Sequence, residues 1–429
     1  MSFFFLVLYV AFLFVRPQEW VLGLADWQFG SLGIQDLLIL LAVAGALADL
    51  RRGLAGFREV PQNFLILGLL AGVAMSHVSH FYFAGLLDSL EKFGKVVLVF
   101  LLVTVVVNTP RRVKTLAVVM VAASLFLAAQ GIVQFHRGYG FGGPADLPLS
   151  HGGVVRVRAT GIFNDPNDLA LMLVTIMPFL GMVVVTRNVK FLLRLTALAA
   201  LVPVAYAVYL TNSRGGWVAL GAMGVAFVTL AFSRRIGLVL VAVFLAAIIA
   251  LRPTRLEGIS ANHGRDRLVL WGYGNQMLKQ NPFFGVGMNQ FTEQPGVGHV
   301  AHNSFVHTYA ELGMFGYFFW LGLVVGTFWD TWALRRAQIQ EGSACTFLPH
   351  LSTAILAGFC GFMVAAFFLT RCYVLPLYLI MALVVAMRMI YHQEHGSLVG
   401  GFQTRHLKWV AASAILSVPG MWLLIRIVA

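Results

Sequence analysis

Charge is scarce in this chain: charged side chains make up 11% of its 429 residues, against roughly a quarter in soluble domains. So few charges cannot coat a surface that faces water, and a soluble domain is excluded. Cysteine is nearly missing as well, with three copies at Cys345, Cys360 and Cys372. They are widely spaced, and the threading below puts Cys345 and Cys372 on opposite faces of a membrane, so no disulfide framework is expected. The 17 acidic residues form no ligand cluster, and no cysteine stands near the histidines, which argues against a metal centre. No basic residue precedes the first apolar stretch, 2–15, and no small-x-small cleavage site follows it. It is expected to be a retained span, not a removed leader.

What the chain has in abundance is apolar length, with 59% hydrophobic residues. Runs suited to spanning a bilayer cover roughly residues 2–15, 32–50, 63–79, 93–108, 115–134, 168–186, 191–210, 216–233, 236–251, 314–333, 351–370, 373–391 and 409–428. These runs are continuous, whereas barrel strands alternate every second residue, so the spans are helices. The expected fold is all-α: a polytopic integral membrane helix bundle of about 12 to 13 transmembrane helices forming one domain, 1–429. The net charge of +13 is divided into small clusters between apolar runs, which marks topology and not a nucleic-acid surface. Arg51-Arg52, Arg111-Arg112, Arg187 to Arg194, Arg234-Arg235, Arg335-Arg336 and Arg388 to Lys408 fall in alternate links. The positive-inside rule then puts them, and the N-terminus, in the cytoplasm. Two long hydrophilic segments, 135–167 and 252–313, face the other side.

Loops of that length in a compact protein are functional or disordered, and their aromatic residues and glycine punctuation speak for order. Segment 252–313 brings His263, His299, His302 and His307 close to Arg265 and Arg267. A helix is expected to start near Asn303, where His302-Asn303-Ser304 offers capping side chains ahead of an apolar run. His302 then stands at the electropositive mouth of that helix, a setting that keeps an imidazole neutral and suits a general base. The alternative is a histidine that only caps the helix or sits at the interface. Thr211-Asn212-Ser213-Arg214 interrupts two apolar runs, leaving Arg214 at the lip of the bundle. A guanidinium there needs an anion or carbonyls, and together with Arg265 and Arg267 it could grip a diphosphate. Taken singly, each arginine equally suits snorkelling to lipid headgroups. Segment 135–167 ends in a turn and helix cap, Asn164-Asp165-Pro166-Asn167-Asp168. Before it, Arg156 and Arg158 alternate with valines in a short extended or interfacial piece that could touch a substrate.

Three patches resemble the O-antigen ligase and polymerase superfamily of bacterial inner membranes. The stretch His302-Asn303-Ser304 to Tyr309-Ala310-Glu311-Leu312-Gly313-Met314-Phe315-Gly316 is similar to its His-Asn and Glu-x-Gly-x-x-Gly pattern. Upstream, Arg265-Asp266-Arg267 to Trp271, with Pro282-Phe283-Phe284-Gly285-Val286-Gly287, resembles its loop motifs. Ser213-Arg214-Gly215 and Gly161 to Leu169 resemble two of its turns. Order and spacing carry the resemblance across 160–320.

The resemblance implies a GT-C-like, metal-independent, inverting glycosyltransferase that needs no cofactor and acts from a large periplasmic loop. Its donor would be an undecaprenyl-diphosphate-linked glycan, and its acceptor a sugar hydroxyl on lipid A core or on another lipid-linked glycan. By the same analogy His302 activates the hydroxyl while Arg214 and Arg265 or Arg267 bind the diphosphate. Asn303, Tyr309, Glu311, Arg156 and Arg158 take supporting places, Glu311 being also a structural candidate. Neighbouring activities share the pattern: polymerisation of lipid-linked repeats and protein O-oligosaccharyl transfer. Solute transport is disfavoured, because no pair of broken spans or inverted repeat is visible. A lipid-glycan assembly component without activity would keep the arginines and tolerate changes at His302.

Overall fold

The computed structural model describes residues 1–21, 24, 28–29, 32–51, 60–141, 147–151, 154–158, 165–250, 260–340, 347–395 and 401–428. The protein is an all-α, multi-pass membrane bundle. Before the second long segment come α1 (Ser2–Val15), α2 (Ile34–Arg51), α3 (Pro61–Val78), α4 (Phe83–Val106) and α5 (Pro110–Arg137). They are followed by α6 (Pro166–Val185), α7 (Phe191–Leu210), α8 (Arg214–Ala231) and α9 (Arg234–Ala250). Then come α10 (Ser260–Gln280), α11 (Ser304–Gln340), α12 (Phe347–Ala366), α13 (Leu375–His395) and α14 (Leu407–Val428). Each expected apolar run is occupied by one of these helices. Among the described residues nine helices are long and apolar enough to cross a membrane, and Ser2–Val15 is a shorter apolar one. Helices α2, α4 and α9 occupy the remaining expected runs.

Helix α13 is the axis of the bundle, since every side chain from Leu375 to Tyr391 is buried. A helix that is apolar all round belongs in the middle, where no face has to meet lipid or water. Its one buried cation is neutralised on the spot: Arg388 Nη1 lies 3.0 Å from Asp330 Oδ2 of α11 and donates to the Phe402 carbonyl at 2.9 Å. Asp330 also accepts from the Phe402 N–H and from Gln62 of α3. Three helices and the segment before α14 are thus tied at one polar knot, as a buried charge requires.

Segment 252–313 is less of a loop than its composition suggests. Helix α10 occupies Ser260–Gln280 and presses Leu270, Trp271, Met277 and Leu278 inward, a spacing of one face of a helix. Beyond it, residues 282–287 lie along a break in α11 at Gly313, where φ is 61° and ψ −170°. The break frees the Ala310 and Glu311 carbonyls, which accept from Val286 and Gly287 at 3.0 and 2.9 Å. It also frees the N–H groups of Met314 and Phe315, which donate to Pro282 and Phe283 at 2.8 and 3.1 Å. This exchange satisfies four of the backbone groups at the break. The two chains approach so closely that a Cβ on Gly285 would stand 2.3 Å from the Glu311 backbone, and one on Gly313 2.3 Å from that of Phe283. Gly285 and Gly313, one in each motif, are therefore demanded by backbone contact as well as by positive φ.

Two short hairpins complete the fold: β1 (Gln28–Phe29) with β2 (Leu32–Gly33), and β3 (Leu149–His151) with β4 (Val154–Arg156). The second is the extended piece expected around Arg156. It is tied to the α7–α8 turn, because Val157 N–H donates to Leu210 O at 3.3 Å and Asn212 Nδ2 to Val155 O at 3.1 Å.

Candidate functional site

Three helices begin at one place. Asp165 caps α6, its Oδ1 accepting from Asn167 N–H at 2.8 Å. Ser213 caps α8 by accepting from Gly216 N–H at 3.0 Å. Asn303 Oδ1 accepts from Phe305 and Val306 at 2.9 and 3.1 Å and caps α11. The starts are bonded to each other. Asn167 Oδ1 receives Ser213 Oγ at 2.7 Å and Arg156 Nη2 at 3.1 Å, while Ser304 Oγ accepts from the Arg371 N–H at 2.8 Å. Arg371, which follows α12, pairs through Nε with Asp168 in the first turn of α6. Each helix start carries roughly half a positive charge from its aligned peptides, so their convergence favours an anion before any side chain is counted.

Side-chain cations reinforce that field. Arg156 reaches in from β4, with Nε donating to Thr211 O at 3.1 Å. Burial lowers its pKa from the ordinary arginine value, Asp165 opposes the shift and the Arg214 charge adds to it. Arg267, on α10, is lowered by burial and then by Arg214. Arg214 itself is exposed at the first turn of α8. The charge of Arg214 is therefore felt by both Arg156 and Arg267.

His302, at the start of α11, stands within reach of the charges of Arg267 and Arg371. Its backbone is left-handed, with φ 51°, a conformation that histidine tolerates better than most residues. The preceding residue is anchored: Trp271 Nε1 donates to the Ala301 carbonyl at 2.9 Å. Burial, then the charges of Arg267 and Arg371, push the imidazole pKa down to about 4, with Asp165 opposing and His299 adding to the shift. At neutral pH the ring is uncharged and free to accept a proton.

The other sequence candidates are placed differently. Tyr309 is buried and its hydroxyl donates to Asn275 Oδ1 at 2.6 Å, joining α11 to α10. Glu311 is fully buried, with Oε1 3.1 Å from His307 Nε2 and accepting from Phe291 N–H at 3.2 Å. Both secure the loop against the helix behind the site. Arg158 turns to its own segment, where Nε donates to Leu147 O at 3.0 Å and N–H to Gln134 Oε1 at 3.0 Å. The side chains of Arg265 and His263 lie outside the described residues, as do Cys345 and Gly161 to Asn164. Cys360 and Cys372 are free thiols. Among the described residues no group of three or more His, Cys, Asp or Glu side chains is placed to hold a metal ion.

Arg371 is the residue that sequence reasoning missed. Its signal was present, since Thr370-Arg371-Cys372 breaks two apolar runs in the same way that Thr211 to Arg214 does. Asp168, read only as part of a turn, is its partner.

The family model described as O-antigen ligase matches residues 198–321, the part of the chain that holds Arg214, Arg265, Arg267 and His302. Over that segment, a little under a third of the chain, the protein is similar to this superfamily. No curated protein matches the chain.

Proposed function

We propose that this protein is a glycosyltransferase of the bacterial inner membrane, working on the periplasmic face with its N-terminus in the cytoplasm. It transfers a glycan from undecaprenyl diphosphate to a sugar hydroxyl of an acceptor lipid, lipid A core in the ligase reading. The observation that carries this is the pairing of an uncharged imidazole with a concentrated positive field, two requirements of the reaction that seldom meet by chance. His302 takes the proton of the acceptor hydroxyl as its oxygen attacks the anomeric carbon. The bond from that carbon to the diphosphate oxygen breaks on the opposite face, and its electron pair leaves with the diphosphate. Arg214 and Arg267, with Arg265 on the same helix and the three helix starts, receive the charge that grows there. Interactions that strengthen as charge develops accelerate the step more than they tighten substrate binding. Inversion follows from a single displacement, and these groups suffice without a metal.

The test is transfer by the purified full-length protein from a lipid-diphosphate glycan, offered lipid A core, a lipid-linked repeat and an acceptor peptide in parallel, with chelator present. The expected result is transfer to lipid A core that survives chelation and drops by about 10²–10⁴-fold in His302→Ala. Full activity in His302→Ala would remove the base. Preference for the lipid-linked repeat would make the protein a polymerase.

A further inference from the structure

Two cavities open at the end of the bundle opposite His302, where α6, α8 and α11 finish and α5 and α12 begin. One, of about 310 Å³, is walled mainly by apolar side chains that include Val121, Phe179, Leu180 and Ala354, with Lys114 also in its lining. The other, of about 550 Å³, lies across the end of α6 beside Arg187, Asn188, Arg335 and Thr353. Met182, Thr186 and His350 border both, so the two adjoin as the apolar and the cationic half of one candidate cleft. Neither wall includes an Asp or Glu. Arg335 is held in place there, with Nη2 donating to Leu230 O at 2.5 Å and Nε to Thr353 Oγ1 at 3.2 Å. Arg187 is exposed at the rim.

We propose that this cleft binds an anionic glycerophospholipid, with its phosphate against Arg187, Arg335 and His350 and an acyl chain in the apolar half. Cations at the edge of a low-dielectric region call for an anion or carbonyls; the Leu230 carbonyl meets one arm of Arg335, and the walls offer no acidic side chain to either arginine. The apolar half reaches the size of small-ligand pockets, roughly 300–1,000 Å³, and it adjoins the cationic half as a chain adjoins its headgroup. A zwitterionic lipid would bring its ammonium group to the arginines, and inorganic phosphate would leave the apolar half unfilled. Basic pockets between spans recognise anionic headgroups for the same reason. The cleft lies a bilayer away from the transfer site, so the inference is independent of the proposed reaction.

The experiment uses the purified full-length protein in detergent, titrated with phosphatidylglycerol, phosphatidylcholine or inorganic phosphate. Bound lipid is read by native mass spectrometry and Tm by thermal unfolding. Phosphatidylglycerol should be retained about tenfold better than phosphatidylcholine and should raise Tm. Arg187→Glu, at an exposed position, should lower that retention at least fivefold with the lipid-free Tm unchanged, and Val121→Trp should do the same by filling the apolar half. Equal retention of both lipids, unaltered retention in Arg187→Glu, or a full Tm rise with inorganic phosphate alone would each overturn the proposal.

Discussion

Replacing Arg371 by Met should move the acid limb of the pH–rate profile upward while leaving the neutral plateau within about tenfold of wild type. In the proposed reaction the base works as neutral imidazole, so activity should be lost as pH falls through the pKa of His302. Burial and two arginines hold that value at about 4 in place of 6.5. At about 1.4 kcal/mol per tenfold, this disfavours the imidazolium by roughly 3 kcal/mol, an upper figure because water screens a partly open ring. At pH 7 about one ring in a thousand is protonated, against about one in four at the ordinary value. Arg371 is the smaller of two cationic contributions that follow burial, so its removal should raise the limb by roughly half to one pH unit. The freed Asp168 carboxylate pushes in the same direction. Arg371→Lys keeps the charge and should keep the limb near 4. The assay is kcat/KM for glycan transfer between pH 3.5 and 8, with folding checked at each pH. An unmoved limb in folded Arg371→Met, or a wild-type limb near 6.5, would refute the electrostatic account.

Two further outcomes concern stability. Gly313→Ala and Gly285→Ala each place a Cβ against backbone at 2.3 Å and at positive φ, and should cost at least about 1–3 kcal/mol, seen as a lower Tm and less monodisperse protein. Asp330→Asn leaves the buried Arg388 guanidinium uncompensated and should cost about 3–5 kcal/mol. The double variant Asp330→Leu with Arg388→Met should recover most of that loss in the same unfolding measurement.

The spans were legible because a bilayer demands long apolar runs, and each run became a helix. The starts of α6, α8 and α11 were legible as well, since Asp165-Pro166, Ser213 and Asn303 are capping residues whose side chains replace lost backbone partners. Helix α10 escaped because its apolar residues lie on one face, and a search for continuous runs passes over an amphipathic helix. The break at Gly313 escaped for another reason: the pairing of 282–287 with 310–315 joins residues remote in sequence, so neither stretch reveals it alone. Among the candidate residues, the place of His302 beside a helix start could be read locally. The place of Arg156 beside Arg214 and Arg267 could not, because it depends on how β4, α8 and α10 come together. Arg371 had the same local mark as Arg214, and its role emerged only with its partner Asp168 and its bond to Ser304.

The meeting of three helix starts has a consequence for how such a protein tolerates change. Part of the attraction for a phosphorylated lipid head resides in peptide groups, which every side-chain replacement leaves untouched. In the reaction proposed above, any one arginine can then be lost with a residual grip on the donor, while His302, as the proposed proton acceptor, has no such reserve. Drift along a lineage should therefore wear away the guanidinium positions one at a time, and leave the histidine until the activity itself is gone.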